Sequence, residues 1–468
     1  MKLLKANKGI RLPHLKDTFD APIEDFDKPQ RVYIPLGMKK TDFEVYVNPG
    51  DQVKLGQKVS KSLQGFPFYH HASVSGTVVG IERVTGHLGK PVQAIVIEND
   101  YQDTVTDEYQ PITDLDQLSR EDIVERLLEG GFVGLGGAGF PTHLKYRDVD
   151  NIDTVILNGA ECEPAVTSDY RAMLEHAAEI VDGLTILMRA VDAPNGIIAI
   201  KEKYTEVAKA FHDVLGDYPN IQLKYLPDLY PTGWEKSVVY RTTKRRYERL
   251  PKECGVIVNN VQTALYVSRF FRKGIPLVER IVTVTGDGIQ QKKNLRIRIG
   301  TLAKELIDYC GGFNNEFQEL RLVCGGPMMG ETHKDTSFIM AKEVNGLVVL
   351  PGVKQYEDVK GHASFSDLWN MWKDLLRQSF GEADVRVVDE QPCVRCMKCV
   401  ESCPVGLRPT LLSTASLHRD EEQLAKFNVL ACINCGICTY VCPSHIPLAA
   451  NIQRGQNYYR AKQRMQNR

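Results

Sequence analysis

Eight of the chain's 12 cysteines fall between Cys393 and Cys442, in two copies of one spacing, C-x2-C-x2-C-x3-C-P. The first copy is C-V-R-C-M-K-C-V-E-S-C-P, with Cys393, Cys396, Cys399, Cys403 and Pro404. The second, 39 positions on, is C-I-N-C-G-I-C-T-Y-V-C-P, with Cys432, Cys435, Cys438, Cys442 and Pro443. Three thiolates at two-residue gaps on a tight loop can each reach a different iron of one cubane, while the fourth, entering a helix, points toward the other cluster. The spacing therefore predicts two [4Fe-4S] clusters. One is held by Cys393, Cys396, Cys399 and Cys442, the other by Cys432, Cys435, Cys438 and Cys403. Structural zinc also uses paired C-x-x-C, but one ion takes four ligands and would strand the rest of each run. Val394, Ile433, Gly436 and Ile437 between the ligands help keep water off the sulfurs. Cys162, Cys254, Cys310 and Cys324 have no spacing partners and read as inert thiols.

This clustering argues against a disulfide framework and for a reducing cytoplasm. The N-terminus, M-K-L-L-K-A-N-K, shows no apolar h-region, and no apolar run reaches the roughly 18 residues of a membrane span. With 58 Lys+Arg against 59 Asp+Glu the formal charge is -1, so no global basic field points to nucleic acid. The 468 residues have length for roughly three domains of about 150 residues each.

The pattern of elements changes along the chain. From about 31 to 100, short alternating strands such as Arg31 to Pro35, Gly76 to Ile81 and Ala94 to Glu98 predict a small all-β domain. The stretch from Asn48 to Gln57, followed by Ser73 to Val78, resembles biotinyl and lipoyl carrier barrels, without a lysine at the tip where those carriers are modified. A structural role is expected for it. His70 and His71 form a candidate metal pair there, although adjacent loop histidines more often face solvent or cap. From about 111, helix and strand alternate, predicting an α/β layer fold with a mostly parallel sheet. Ser119 and Asp122 make an S-x-x-D cap, Ile123, Val124, Leu127 and Leu128 an apolar stripe, and Gly130-Gly131 a stop. One helix is expected from about Ser168 to Val181. Residues 277 to 350 read as a compact α+β insert, and 363 to 380 as a helix bearing Trp369 and Trp372.

The loop Gly134-Leu135-Gly136-Gly137-Ala138-Gly139-Phe140-Pro141-Thr142 contains G-x-G-x-x-G. A dinucleotide fingerprint needs a strand before the glycines and a helix after them; here a helix precedes and a proline follows. What remains is a backbone free of Cβ atoms that can close on a phosphate or a flat ring. The next strand ends in N-G-A-E-C-E-P (Asn158 to Pro164), at the carboxyl end where α/β sheets place ligands. Y-P-T-G-W-E-K (Tyr230 to Lys236) and N-N-V-Q-T (Asn259 to Thr263) add further polar groups, the asparagine pair either binding or capping. Arg241, Lys244, Arg245, Arg246 and Arg249 form a basic run that is a solvated face or a phosphate attractor. Arg454, Arg460, Lys462, Arg464 and Arg468 form a basic tail expected to fray.

Taken in order, G-L-G-G-A-G-F-P-T-x-L-K, N-G-A-E-C-E-P, Y-P-x-G-x-E-K, N-N-V-x-T and the twin cysteine motif resemble the RnfC family, the RnfC subunit of the Rnf electron-transport complex. The same loops are similar to the flavin-and-NADH subunit of respiratory complex I. The resemblance implies a multidomain α/β chain: a carrier-like barrel in 1–110, an FMN/NADH-binding domain in 111–276, a β-grasp (SLBB-like) insert in 277–360, and a helical ferredoxin-like domain with two [4Fe-4S] clusters in 361–468. It implies FMN contacts at Gly134, Gly136, Gly137, Ala138, Gly139, Lys145, Asn158, Glu161, Gly233, Asn259, Asn260 and Thr263. It implies NADH contacts near Phe140, Glu163 and Glu235. Leu135 stands where the complex I loop has arginine, and Trp234 and Lys236 differ around its glutamates.

The implied function is an electron-transfer subunit exchanging hydride between NAD(H) and FMN and passing single electrons through two clusters. It would sit peripherally on the cytoplasmic face of a membrane complex, with the other Rnf-type subunits and, indirectly, ferredoxin as partners. A soluble flavin and iron-sulfur reductase of the cobalamin-reductase type shares the same loops, and a flavin-free electron wire is the non-enzymatic alternative.

Overall fold

A computed structural model describes residues 9–26, 28–37, 42–63, 66–352 and 390–466; the helix expected over 363 to 380 lies outside them. The alternating segment forms two small packed sheets. Strands β2 (Arg31–Gly37), β8 (Pro91–Asn99), β7 (Gly76–Thr85) and β4 (Gln52–Val53) make one sheet, in that order, and β3 (Phe43–Val45), β5 (Lys58–Ser62) and β6 (Tyr69–His71) the other. Every second residue of β2 (Val32, Ile34, Leu36) turns inward onto Val59, Val74, Ile95 and Ile97.

The next region is a parallel sheet flanked by helices. Its strands are β9 (Thr154–Gly159), β10 (Asn195–Lys201), β11 (Ile221–Leu226) and β12 (Val256–Asn260), in spatial order β11-β10-β9-β12. Helix α1 (Arg120–Glu129) starts where expected: Asp122 N–H donates to Ser119 Oγ at 3.1 Å and Ser119 N–H to Asp122 Oδ2 at 2.9 Å. Its stripe of Ile123, Val124, Leu127 and Leu128 is buried. The helices that follow are α2 (His143–Tyr146), α3 (Ser168–Glu175), α4 (Ala177–Arg189), α5 (Thr205–Leu215), α6 (Glu235–Thr243) and α7 (Val261–Lys273). The single helix expected from Ser168 to Val181 is in fact α3 and α4, broken at His176 (φ −131°, ψ 32°). There the ring sits between Arg296 at 3.2 Å and Glu179 at 3.1 Å.

The insert comprises β13 (Glu279–Thr285), β14 (Lys293–Arg298), α8 (Ala303–Tyr309), β15 (Leu320–Cys324), β16 (Glu331–His333) and β17 (Gly346–Pro351). A strand from the front of the chain, β1 (Ile23–Phe26), completes its sheet by pairing parallel with β14, Ile23 opposite Asn294. The order is β1-β14-β13-β17-β15-β16. Asn294 Nδ2 anchors the entry to β1 by donating to the carbonyls of Thr18 (2.9 Å) and Ala21 (3.0 Å). The leading segment thus runs past the barrel and is stitched to the insert.

The cysteine region folds as short helices α9 (Lys398–Ser402), α10 (Pro409–Leu417), α11 (Glu421–Lys426) and α12 (Ile437–Tyr440), closed by the long α13 (Leu448–Gln466). Most of the basic tail expected to fray is this last helix. It packs on α10 so tightly that a Cβ at Gly455 would meet Ser416 Oγ at 2.1 Å.

Candidate functional site

The chain leaves β9 outward through β10 and β11, then returns to the other side of β9 as β12. That reversal opens a crevice at the carboxyl ends of β9 and β12, where an open parallel sheet accepts ligands. Asn158 and Asn260, the last polar residues of these strands, are Cα partners across the crevice. Asn158 Nδ2 donates to the Gly233 carbonyl at 2.8 Å, bringing the Tyr230 to Lys236 loop to the same edge. Asn260 caps α7, its Oδ1 accepting from Gln262 N–H at 2.8 Å, while its Nδ2 donates to Asp169 Oδ2 at 2.7 Å. Asn259 donates to the Tyr146 hydroxyl, and its buried Oδ1 has no partner.

The glycine loop lies over this crevice. It is closed on itself by Gly134 N–H to the Phe140 carbonyl (2.8 Å) and Gly139 N–H to the Gly134 carbonyl (3.2 Å). It is pinned by the buried Leu135, whose N–H donates to Thr263 Oγ1 at 3.1 Å. Gly136, Gly137 and Ala138 are left exposed. A Cβ at Gly136 would stand 3.4 Å from Asn260 Cβ, and Gly137 (φ +97°) faces open space. Lys145 Nζ donates to the Val258 carbonyl at 2.7 Å; burial lowers its pKa and Glu235 opposes that shift. Glu235, first in α6, accepts from the Tyr247 hydroxyl at 2.9 Å. The glycines, Lys145, Asn158, Gly233, Glu235, Asn259, Asn260 and Thr263 are therefore one constellation.

Two expected contacts are engaged elsewhere. The Glu161 carboxylate accepts from the N–H groups of Asp169 (2.6 Å) and Tyr170 (3.1 Å) at the start of α3. It also lies 3.5 Å from Lys16, both side chains almost wholly buried. Desolvation pushes the carboxyl pKa up and the ammonium pKa down, and their mutual attraction opposes both shifts. Glu163 Oε2 accepts from Met328 N–H at 3.0 Å, and its buried Oε1 has no partner. Burial raises that carboxyl to about 7. Phe140 packs edge-on against Phe66 of the barrel, ring centroids 5.0 Å apart.

His70 and His71 do not face solvent: they are 5% and 3% exposed. Burial, with the Lys342 charge, drives His70 down to about 3 and His71 well below its ordinary value. Lys16, Asp169, Arg280 and Lys342 went unnoticed in the sequence. Arg280 is wholly buried, donating to the carbonyls of Leu135 (3.3 Å) and Lys342. Lys342 Nζ donates in turn to the Gly131 carbonyl at 2.8 Å. A charged residue opening the apolar run I-V-T-V of β13 was the one available signal.

In the cysteine region, Cys403, Cys432, Cys435 and Cys438 line one small pocket walled by Val405, Leu407, Ile433, Ile437 and Ile452. The fourth cysteine of the first run thus lines the same pocket as the first three of the second. Burial pushes the Cys438 thiol well up, with Cys435, Cys432 and Cys403 adding to the shift. The neighbours that raise Cys399, after burial, are Cys442, Cys396 and Cys393. Backbone geometry repeats with the sequence: Arg395 and Met397 (φ +55° and +63°) correspond to Asn434 and Gly436 (φ +52° and +74°). Turns between the cysteines are thus built alike in both copies.

Comparison with known proteins agrees with this layout. Residues 4–102 match the RnfC barrel sandwich hybrid domain, 127–269 the Nuo51 FMN-binding domain and 281–332 the SLBB domain. Residues 386–443 match a 4Fe-4S dicluster domain and 430–457 a 4Fe-4S binding domain. The RnfC subunit of the Na+-translocating ferredoxin:NAD+ oxidoreductase complex of Acetobacterium woodii is 32% identical over 86% of this chain and 85% of its own. Its counterpart in the proton-translocating complex of Clostridium ljungdahlii is 33% identical over 89% and 85%. The chain belongs to the RnfC family.

An RnfC-family chain of this kind carries a barrel-sandwich hybrid, an FMN-binding domain, an SLBB domain and 4Fe-4S domains. A solved NAD+-reducing [NiFe]-hydrogenase aligns over 73% of this chain and 61% of its own, at 15% identity and a TM-score of 0.48. Among the described residues, no helix is long and apolar enough to cross a membrane. Within the RnfC fold seen here, the two sites touch. The Tyr230 hydroxyl donates to the Cys435 carbonyl at 2.8 Å. Trp234 packs against the apolar cluster of the cysteine region that includes Cys403, Val405 and Leu407. Gly233, between these two aromatics, is the residue held by Asn158.

Proposed function

We propose that this chain is the peripheral NAD(H)-linked subunit of an ion-translocating ferredoxin:NAD oxidoreductase, acting with membrane subunits on the cytoplasmic face. Asn158, Asn260, Thr263, Lys145 and the Gly134 to Gly139 loop would hold FMN at the switch point. The open face of Gly137 and the unpartnered Asn259 Oδ1 suit a flat polar ring system. Cys393, Cys396, Cys399 and Cys442 would hold one [4Fe-4S] cluster, and Cys432, Cys435, Cys438 and Cys403 the other. The apolar walls around the latter set exclude water from its sulfurs. FMN, when bound, supplies the conversion between two-electron hydride chemistry and one-electron iron-sulfur chemistry.

The observation that carries this reading is the Tyr230 to Lys236 loop: Asn158 holds it at Gly233, and its Tyr230 hydroxyl donates to the Cys435 carbonyl, which joins the glycine-loop crevice to one thiol set. That set is the inner one. Cys393 and Cys396 of the other set are exposed, as an outlet to a partner requires. Anaerobic purification with flavin extraction and iron analysis tests the proposal. It expects about one FMN and about eight irons per chain, with visible absorbance bleached by NADH. A chain carrying irons but neither flavin nor NADH response is an electron wire, and the proposal is lost.

A further inference from the structure

We propose that Glu343, delivered by the SLBB insert to the mouth of the glycine loop, sets the choice of dinucleotide by accepting ribose hydroxyls of NAD(H) and rejecting the 2′-phosphate of NADP(H). This deepens the reading just given and rests on it. Glu343 lies between β16 and β17 with its side chain close against Gly139 of the loop. A Cβ at Gly139 (φ +60°) would stand 2.6 Å from Glu343 Cγ and 2.8 Å from its Oε1. The residue is half-buried, and no hydrogen bond or ion pair with a described residue engages its carboxylate. The adjoining cations feel its charge but spend their hydrogen bonds elsewhere: Lys342 donates to the Gly131 and Tyr69 carbonyls, Arg280 to those of Leu135 and Lys342. No cationic side chain occurs from Gly134 to Phe140 that would receive an extra phosphate.

The aromatic pair beside it says which part of the dinucleotide comes here. Phe140 follows Gly139 directly and meets Phe66 edge-on, and Phe66 keeps 51% of its surface exposed. A purine stacks favourably on such an exposed ring, as bases do on aromatic side chains in nucleic-acid complexes. A base seated there carries its sugar one residue back, beside Gly139 and so beside Glu343. A carboxylate at that place accepts hydrogen bonds from vicinal ribose hydroxyls and repels a phosphate dianion. The barrel, with no carrier lysine, thereby contributes Phe66 to the substrate rim.

The test is calorimetric titration of the flavin- and iron-loaded full chain with ADP-ribose and with 2′-phospho-ADP-ribose, alongside KM for NADH and NADPH. The wild type is expected to favour ADP-ribose by about tenfold or more. E343Q should reduce that preference to about threefold or less, E343R should reverse it, and Phe66→Ala should weaken both ligands alike, flavin and iron content being unchanged in each. A wild type that responds to NADH but whose discrimination survives E343Q overturns this inference alone. A wild type with no NADH response and no affinity for either fragment overturns the proposed function and this inference together.

Discussion

His70 shows how far burial alone can take one side chain. With its ring 5% exposed against Phe68 and the Lys342 ammonium nearby, it stays neutral down to about 3, against about 6.5 in an unfolded chain. Between those values the unfolded state binds a proton that the folded state refuses, so stability falls as pH drops through that window, by up to about 1.4 kcal/mol per unit. Thermal midpoints measured at pH 7 and pH 5 should diverge less in His70→Gln than in the wild type; equal slopes would show that the ring titrates freely. Cys403 makes the matching prediction for the proposed cubane ligands. Cys403→Ser should cost about four irons per chain while the set around Cys399 keeps its own, measured by iron analysis and low-temperature spectra. Loss of iron from the Cys399 set instead would refute the crossed assignment. The proposed ligands drew attention in the sequence because a cubane dictates such a spacing, and Asn158 and Asn260 stood out as polar groups near the ends of apolar strands. Glu161 was not readable in the same way: its carboxylate is claimed by two N–H groups at the start of α3 and by Lys16, which is distant in sequence.

At the scale of elements, local chemistry decided what could be foreseen. Helix α1 announced itself by a cap, a stripe and a glycine stop, and all three are present in the fold. The α/β alternation likewise follows from the switch between periods of two and of 3.6 residues. The break between α3 and α4 escaped notice because neither glycine nor proline marks it; His176 leaves the helix to meet Arg296 and Glu179 across the structure. The glycine loop was legible as a cradle and, equally, as something other than a dinucleotide fingerprint, since α1 precedes it. Its shape makes a prediction of its own. Gly137 has φ +97° and open space where a side chain would go, so Gly137→Val costs about 1–2 kcal/mol of strain and fills the face proposed for FMN. Flavin content should fall at least about tenfold while iron content holds; retention of full flavin would place the ring system elsewhere.

For the whole molecule, what matters is that three bodies meet at one loop. The insert braces it from behind through Arg280 and Lys342, the barrel touches it through Phe66, and the cysteine region docks beside it through Tyr230 and Trp234. None of this was visible beforehand, because contacts between domains leave no periodicity in a sequence; only the order of domains was. Tyr230→Phe removes the hydroxyl that reaches Cys435 and leaves its ring in place. Flavin and iron content should be unchanged, and bleaching of the cluster absorbance after mixing with NADH should slow by up to about tenfold in stopped flow. A rate equal to wild type would mean that this contact has no part in coupling the two sites.

The pairing of β1 with β14 also bears on how such a chain is made. Ile23 leaves the ribosome long before Asn294, its partner, has been added. At elongation speeds of about 5–20 residues per second, the front strand waits roughly 15–50 s as an unpaired edge. During that interval it is open to trapping by other nascent chains. Fusions or chaperones that shield the first thirty or so residues should therefore raise soluble yield more than equal protection placed at the far end.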